Sequence, residues 1–198
     1  MPEPSEIYHL FKPVHFSRTT ITELMIPSYA NFGGKIHGGI LLSLMDKVAY
    51  VCAAKHAGNY CVTASIDTVN FLAPVEVGEL VSFMASVNYV GRTSLVVGIR
   101  VVSENVKTNV VKHTNTSYFT MVAKNEFNEP VAVPGLILEN HEQIRRFEDG
   151  RRRKEEKRTQ AAKTKEIRPE LDIEICKAIL TGEHCIIQLK ENDKHKAE

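Results

Sequence analysis

Asp46 is a charged residue in surroundings that are otherwise apolar. It lies within residues 40–57, ILLSLMDKVAYVCAAKHA, between Met45 and Lys47. An ionised carboxylate among apolar side chains costs free energy unless it is paired or hydrogen-bonded. Lys47 points about 100° away around a helix, so it is a poor partner. Asp46 is therefore interpreted either as an interface or lysine-paired charge, or as a catalytic base or nucleophile.

A glycine-rich loop, residues 31–39 (NFGGKIHGG), leads into this segment and holds four of the eleven glycines of the chain. The first turn of a helix leaves N–H groups free, and glycine lets a ligand approach the backbone closely. The His37-Gly38-Gly39 step would hold an oxyanion or a polarised carbonyl, or else its glycines serve packing alone. His37 itself is interpreted mainly as loop geometry or a helix cap.

Asn31 opens the loop, where its amide would donate to a carbonyl oxygen or position a water, unless it only forms the turn. Asp46 follows Gly38 by eight residues, about 12 Å along a helix. Catalytic hydrogen bonds reach about 3 Å, so one chain cannot join the two groups. Two antiparallel helices in a dimer would bring Asp46 of one chain opposite Asn31 and Gly39 of the other, giving two equivalent sites.

The elements that position these residues follow from hydrophobic patterning. Residues 40–57 are good helix formers that stop at Gly58-Asn59, and their apolar positions predict a helix buried on all sides. Alternating, β-branched stretches predict one strand before this helix, over 14–27, and four after it, over 61–71, 79–90, 94–103 and 113–123. Short links predict an antiparallel meander of the last four. The expected fold class is α+β, an antiparallel sheet wrapped around a long central helix.

Composition changes after residue 138. Residues 1–138 carry 10 basic and 10 acidic side chains, whereas residues 141–170 carry 11 and 7. The prediction is a folded domain over 1–138 and a charged, mostly helical C-terminal extension over 139–198, with a helix over 139–166 broken at Gly150. The run 145–158 contains glutamates among its arginines, which favours a solvated helix over a site that attracts phosphates or nucleic acid.

Several classes of protein are disfavoured by the whole sequence. A formal net charge of +1 argues against a nucleic-acid partner. No apolar run approaches the roughly 18 residues of a membrane span, and no secretory signal is present, so we expect a cytoplasmic protein with four reduced cysteines. Phosphate-loop and metal-ligand motifs are absent from the sequence, so no metal and no cofactor are expected.

Residues 30–59, with His-Gly-Gly followed on the helix by Met-Asp, resemble the hotdog-fold acyl-CoA thioesterases, especially the cytosolic acyl-CoA hydrolases and the bacterial YciA-like enzymes. The likeness continues in residues 62–67 (VTASID) and 90–94 (VGRTS), and it spans about residues 10–155. The resemblance implies a hotdog fold and hydrolysis of fatty acyl-CoA to free fatty acid and CoA. It also implies a homo-oligomer, a dimer of hotdogs assembled into a trimer of dimers.

Residue roles follow from the same resemblance. Asp46 matches the catalytic aspartate and Asn31 the catalytic asparagine, facing each other from different subunits. The backbone at Gly38 and Gly39 would polarise the thioester carbonyl. Whether Asp46 activates water or attacks directly through an anhydride stays open. CoA enters as part of the substrate and product, so no separate cofactor is implied.

Substrate-binding residues are expected around these groups. Arg92 is the candidate for a CoA phosphate contact, with a turn-capping role as its alternative. Thr93 and Ser94 flank it in the same turn, and His37 belongs to the loop beside the thioester. Thr63 and Ser65 are expected to line the strand beside the helix, near Asp67, which is assigned to an interface.

Two other functions remain open from the sequence. One is a non-catalytic hotdog that binds acyl-CoA as a sensor or assembly module, and a weaker one is a dehydratase that pairs His37 with an acid. Asp46 and Asn31 favour hydrolysis, because a pure binder has no need of a carboxylate opposite an amide.

Overall fold

The computed structural model describes residues 10–166 and 173–187. Its strands are β1 Phe11–Pro13, β2 Thr19–Leu24, β3 Tyr60–Ile66, β4 Glu79–Val90, β5 Ser94–Asn105, β6 Val110–Lys124 and β7 Gly135–Ile137. Its α-helices are α1 Val14–Ser17, α2 Gly38–Ala57, α3 His141–Glu166 and α4 Ile173–Ile179, and a 3-10 turn covers Pro27–Tyr29.

Five strands form one antiparallel sheet in the order β2-β4-β5-β6-β3. The predicted antiparallel sheet around a long helix is confirmed, and β4, β5 and β6 do form a meander. The prediction that the strand after the helix joins this meander beside β4 is wrong, because β3 pairs with β6 at the far edge. The twelve residues 67–78 between β3 and β4 are long enough to carry the chain across the sheet.

The central helix α2 packs one face against the sheet. Its buried residues recur every three or four positions and form a single stripe: Leu41, Leu44, Met45, Val48, Ala49, Cys52, Ala53, His56 and Ala57. The prediction of a helix buried on all sides is wrong, since Ser43, Lys47, Tyr50 and Val51 are exposed in this chain. Only one side of the helix is covered because one sheet curls around it.

Both ends of α2 are capped. At its start the His37 ring accepts a hydrogen bond from the Gly39 N–H, and at its end Gly58 adopts a left-handed φ of 71°. That conformation suits glycine, which lacks a Cβ. The Lys12 ammonium donates to the His56 carbonyl at 2.7 Å. These caps satisfy terminal backbone groups and fix where the helix begins and ends.

The N-terminal segment differs from the strand predicted over 14–27. Residues Val14–Ser17 form a helical turn, and only Thr19–Leu24 are extended, as an edge strand beside β4. Strand β1 instead pairs in parallel with β7, more than a hundred residues later. Apolar side chains at Val14 and Phe16 fit a helical turn as well as a strand, so the local pattern did not separate the two.

Helix α3 runs without a break through Gly150, where the sequence predicts an interruption. The Asn140 side chain accepts from the Gln143 N–H, and Gln143 accepts from the Glu139 N–H, so the helix start is capped reciprocally. Gly150 is buried, and a Cβ built there would lie 2.6 Å from the Cβ of Tyr89. Glycine is present for close packing on β4 and not for helix termination.

The chain divides into two compact units, with the boundary between Arg152 and Arg153. The first unit thus extends beyond residue 138, the predicted domain boundary, and includes the first half of α3. In that half, Arg145, Arg146, Arg151 and Arg152 pair with acidic side chains three or four residues away, as expected of a solvated helix. None of the helices in the described ranges is long and apolar enough to cross a membrane.

Candidate active site

Asp46 lies half-buried in the middle of α2, at the border of the buried stripe. The hydroxyl of Thr63, on the edge strand β3, donates to Asp46 Oδ1 at 2.5 Å. A charge-assisted hydrogen bond of this kind orients the carboxylate. Across residues 10–166 and 173–187, no lysine or arginine pairs with Asp46, and Oδ2 has no protein partner. One carboxylate oxygen is therefore held and the other is available.

Strand β3 is irregular beside this contact. Thr63 lies opposite Met121 of β6, whereas Ser65 lies opposite Thr120, so the register shifts between them. A bulge of this kind re-aims side chains along an edge strand. Strand β3 thus lies beside the helix, and Thr63 contacts Asp46 itself. Nothing in the sequence shows this contact, because it depends on the strand register.

Asn31 is exposed in the glycine-rich loop, and its side chain is fixed by its oxygen. Asn31 Oδ1 accepts from the Gly33 N–H at 2.9 Å and from the Lys35 N–H at 3.2 Å. Asn31 therefore forms the turn, which is the alternative to a catalytic role that the sequence leaves open. These bonds leave the Nδ2 amide group without an acceptor in the described part of the chain. The turn therefore presents the two N–H donors of Asn31 to solvent.

The His37-Gly38-Gly39 step departs from one prediction. His37 Nδ1 accepts from the Gly39 N–H at 2.9 Å, which confirms the cap interpretation of His37. It also occupies the N–H that was expected to polarise a carbonyl at Gly39. Among the described residues no acceptor takes the Gly38 N–H, so that amide is the available donor at the helix start. The Phe71 ring lies close above Gly38, 3.3 Å from an ideal Cβ position.

Asn31 and Asp46 do not meet within one chain. Asn31 lies before the first turn of α2, and Asp46 lies in the third turn, eight residues beyond Gly38. That separation is about 12 Å along the helix axis. The exposed side of α2 carries Tyr50, 40% exposed, and Val51, 37% exposed.

Arg92 lies in the turn between β4 and β5 with its guanidinium exposed. The turn is tied to neighbouring segments, because the Val133 N–H donates to the Arg92 carbonyl and the Ala123 N–H donates to the Thr93 carbonyl. No acidic side chain of the described chain pairs with Arg92. Ser94 lies opposite Val122, which in turn lies opposite Val62 on β3. The turn is therefore two strands, roughly 10 Å, from the Thr63 end of β3.

No group of three or more histidine, cysteine, aspartate or glutamate side chains in the described ranges is arranged to hold a metal ion. Cys52 and Cys61 are buried, and burial raises the pKa of the Cys52 thiol to about 12 and that of Cys61 to about 11. Neither thiol is a nucleophile near neutral pH. The available chemistry at α2 is that of the carboxylate, the amide and the backbone N–H.

Comparison with known proteins defines the class to which this fold and site belong. Residues 33–110 match the model of the Thioesterase superfamily. Protein VdlD of Helicobacter pylori is 46% identical over 139 residues, which cover 70% of this chain and 79% of that protein. An apo-hexameric acyl-CoA thioesterase superposes with a TM-score of 0.74 at 39% identity, covering 77% of this chain and 97% of the other.

An acyl-CoA hydrolase from Staphylococcus aureus, solved with butyryl-CoA, CoA and CoA disulfide, superposes with a TM-score of 0.73 at 29% identity over 79% of this chain and 95% of its own. The chain therefore belongs to the hotdog-fold acyl-CoA thioesterases, a family of thioester hydrolases.

Variants of the Staphylococcus aureus enzyme carry alanine in place of an asparagine, an aspartate and a threonine, spaced 15 and 17 residues apart. Asn31, Asp46 and Thr63 have the same spacing.

Proposed function

We propose that this protein hydrolyses fatty acyl-CoA thioesters to a free fatty acid and CoA, with Asp46 as the base or nucleophile. The observation that carries the proposal is the hydrogen bond from Thr63 to Asp46 Oδ1, which leaves Oδ2 without a protein partner. A carboxylate with one oxygen hydrogen-bonded and the other unpaired is oriented and can still accept a proton or attack a carbonyl. Here one oxygen is fixed and the other is presented beside the edge strand.

Asp46 Oδ2 acts on the thioester in one of two ways. As a general base it takes a proton from a water whose oxygen attacks the carbonyl carbon, and the C–S bond breaks to release the CoA thiolate. As a nucleophile it attacks the carbonyl carbon, the C–S bond breaks to release the CoA thiolate, and water then hydrolyses the resulting anhydride to the fatty acid and the Asp46 carboxylate. Both routes yield a fatty acid and CoA, and both need the carboxylate ionised and oriented. No cofactor enters either route, since CoA is part of the substrate and product.

The carbonyl oxygen needs donors where negative charge develops. The Asn31 Nδ2 group supplies one, since its orientation is set by the two bonds to Asn31 Oδ1. The Gly38 N–H, at the positive end of the α2 dipole, supplies the second. The Gly39 N–H would join them only if the His37 ring released it.

The reacting groups come from two protomers in this proposal. Asp46 of one chain acts on a carbonyl held by Asn31 and Gly38 of its partner, because the distance along α2 separates them within one chain. The exposed side of α2 would lie at the dimer interface. A trimer of such dimers gives the hexamer proposed here, and hexamers are described for two solved relatives, one of them a thioesterase from Yersinia pestis.

The CoA end of the substrate is proposed to bind at the β4–β5 turn. Arg92 offers an exposed guanidinium with no acidic partner among the described residues, and a guanidinium binds phosphate oxygens through two parallel N–H bonds. Thr93 and Ser94 of the same turn would add hydroxyl donors, and Ser65 would lie along the path between this turn and Asp46.

Steady-state hydrolysis of palmitoyl-CoA, followed by a thiol reagent that detects free CoA, tests the proposal. We expect Asp46→Asn, which keeps the size of the side chain, to lower kcat about 10²- to 10⁴-fold. Glu126→Gln, at an exposed loop carboxylate, is the matched control and should leave kcat unchanged. Full activity in Asp46→Asn would reject Asp46. Binding of acyl-CoA by the wild type without release of CoA would identify the non-catalytic binder instead.

A further inference from the structure

A cleft of about 620 Å³ lies on the face of the sheet opposite α2, beneath the first turns of α3. Its floor consists of outward-facing positions in two neighbouring cross-strand rows. One row runs Thr20, Met84, Arg100 and Thr116, and the next runs Ser86, Gly98 and Tyr118. Arg18, which directly precedes β2, also lines the cleft. The roof is formed by Glu142, Arg145 and Arg146 of α3. All of these residues belong to the first compact unit.

The charges that line this cleft are mostly positive. Four arginines face it against a single carboxylate, that of Glu142. Glu142 is already shared by Arg145 and Arg146, and these two guanidiniums hold the pKa of its carboxyl down at about 2. The cleft therefore keeps an excess of about three positive charges at any physiological pH, and three of its arginines have guanidinium nitrogens that make no hydrogen bond.

The arginines with such unbonded nitrogens are Arg18, Arg100 and Arg146. The side chains of Arg18 and Arg100 are exposed and have no acceptor in the described part of the chain. Arg146 uses only Nε, which donates to Glu142 Oε1 at 2.8 Å, so both of its Nη groups remain available. By contrast, the three nitrogens of Arg145 are all bonded to Glu142 and Asp149. Arg145 thus orients the roof, and the others can bind.

Asn88 adds a donor that surface arginines alone would not provide. It is only 6% exposed, and its Oδ1 accepts from the Ser86 hydroxyl at 3.0 Å. Its Nδ2 lies over Gly98 in the floor of the cleft, where an added Cβ would be 2.3 Å from it. No described residue accepts from this Nδ2. Asn88 lines the cleft and its Oδ1 is held by the Ser86 hydroxyl, so Nδ2 is oriented to donate to a ligand oxygen there.

We propose that this cleft is a binding site for a small molecule that carries phosphate groups. Its donors are the three guanidiniums and the Asn88 amide, and guanidinium pairs with phosphate bidentately. The volume is that of a small-molecule site rather than of a single ion. The site lies on the opposite face of the sheet from Asp46. Binding at this cleft can therefore be measured without turnover.

Calorimetric titration of the full-length protein with inorganic pyrophosphate tests the site. We expect saturable binding that weakens as sodium chloride is raised, since the interaction is between charges. Arg18→Gln and Arg100→Gln should each weaken binding about tenfold or more, and the double variant should lose it. Arg151→Gln removes the same charge from α3 outside the cleft and should bind as the wild type does.

Two results would overturn the proposal: no saturable heat with the wild type, or equal affinity in the wild type and in the Arg18→Gln/Arg100→Gln double variant. Thermal unfolding of the double variant establishes that it is folded. CoA carries phosphates too, so a second titration with free CoA identifies the source of the ligand. Competition between CoA and pyrophosphate, with a raised KM for acyl-CoA in Arg100→Gln, assigns the phosphates to CoA. Binding of pyrophosphate without effect on that KM assigns them to a separate phosphorylated metabolite.

Discussion

The Thr63 hydroxyl donates to Asp46 Oδ1 at 2.5 Å and so connects the edge strand β3 to the middle of α2. The same hydroxyl lies 3.3 Å from the sulfur of Met121, a buried residue of the neighbouring strand. Thr63 is therefore held by the sheet and in turn holds the helix carboxylate. We infer that Thr63 is a positioning residue, which fixes the oxygen of Asp46 that does not react.

Loss of the Thr63 hydroxyl should reduce turnover without weakening substrate binding. We expect Thr63→Ala to lower kcat roughly 10- to 100-fold, because a small misplacement of a reacting group is costly. KM should change little. Thr63→Ser keeps the hydroxyl and should retain most of the activity. A rise in KM at unchanged kcat in Thr63→Ala would assign the residue to substrate binding instead.

The sequence was sufficient to predict the helix and most of the sheet, and it identifies Asn31 and Asp46 as the candidate site residues. The helix follows from residues that are adjacent in the chain, and the acid is conspicuous because its neighbours are apolar. The position of β3 beside β6, by contrast, depends on a twelve-residue crossing whose direction no local pattern specifies. The contact between Thr63 and Asp46 depends on that crossing, so it cannot be predicted without knowledge of the strand order.

Gly150 and His37 show a second limit of local patterns. A glycine inside a helix-forming stretch predicts an interruption, but its packing against Tyr89 overrides that preference. A histidine before a glycine pair is compatible with catalysis and with capping. The hydrogen bond that His37 accepts from the Gly39 N–H identifies it as a helix cap. In both cases the outcome depends on a single contact rather than on residue type.

Mixed oligomers should reveal whether the site is shared between protomers. Asn31→Ala and Asp46→Asn chains should each be inactive alone, because each lacks one side of every site. Exchange of subunits between them should restore activity, since a mixed dimer has one site with both wild-type groups. At equal amounts and random pairing, half of the dimers are mixed and half of their sites are intact, so roughly a quarter of wild-type activity is expected.

Subunit exchange must be shown in the same samples, for example by energy transfer between labelled chains. Mixing either variant with itself is the matched control and should restore nothing. If the chains exchange and activity stays absent, Asn31 and Asp46 do not complement each other across an interface.

Gly150→Ala should destabilise the protein although alanine is the better helix former. The new Cβ would lie 2.6 Å from the Tyr89 Cβ, and neither atom is at the end of a flexible side chain. Overpacking of this kind costs about 1–3 kcal/mol, which exceeds the roughly 1 kcal/mol that alanine gains over glycine in a helix. Denaturant unfolding measures the difference. Glu156→Ala, at an exposed position of the same helix, is the control, and equal or greater stability in Gly150→Ala would contradict the close packing.

His56 should make the protein less stable in mild acid. It is fully buried, its Nε2 lies 2.9 Å from the Pro134 carbonyl, and its Nδ1 has no partner in the described chain. Burial lowers the pKa of His56 below its usual 6.5, and the nearby Lys12 ammonium lowers it further. Below about pH 6.5 the unfolded chain binds a proton that the folded chain excludes. The stabilising contribution of neutral His56 is therefore complete above that pH and falls as the pH decreases, by at most about 1.4 kcal/mol per pH unit.

Thermal unfolding between pH 7.5 and about pH 5 measures this dependence. His56→Gln has no titrating group at this position and keeps an amide N–H for the Pro134 carbonyl, so its midpoint should fall less steeply with pH than that of the wild type. His15→Gln changes an exposed histidine and should follow the wild-type curve. Parallel curves for His56→Gln and the wild type would contradict the prediction. They would show that the folded protein protonates His56 as readily as the unfolded chain does.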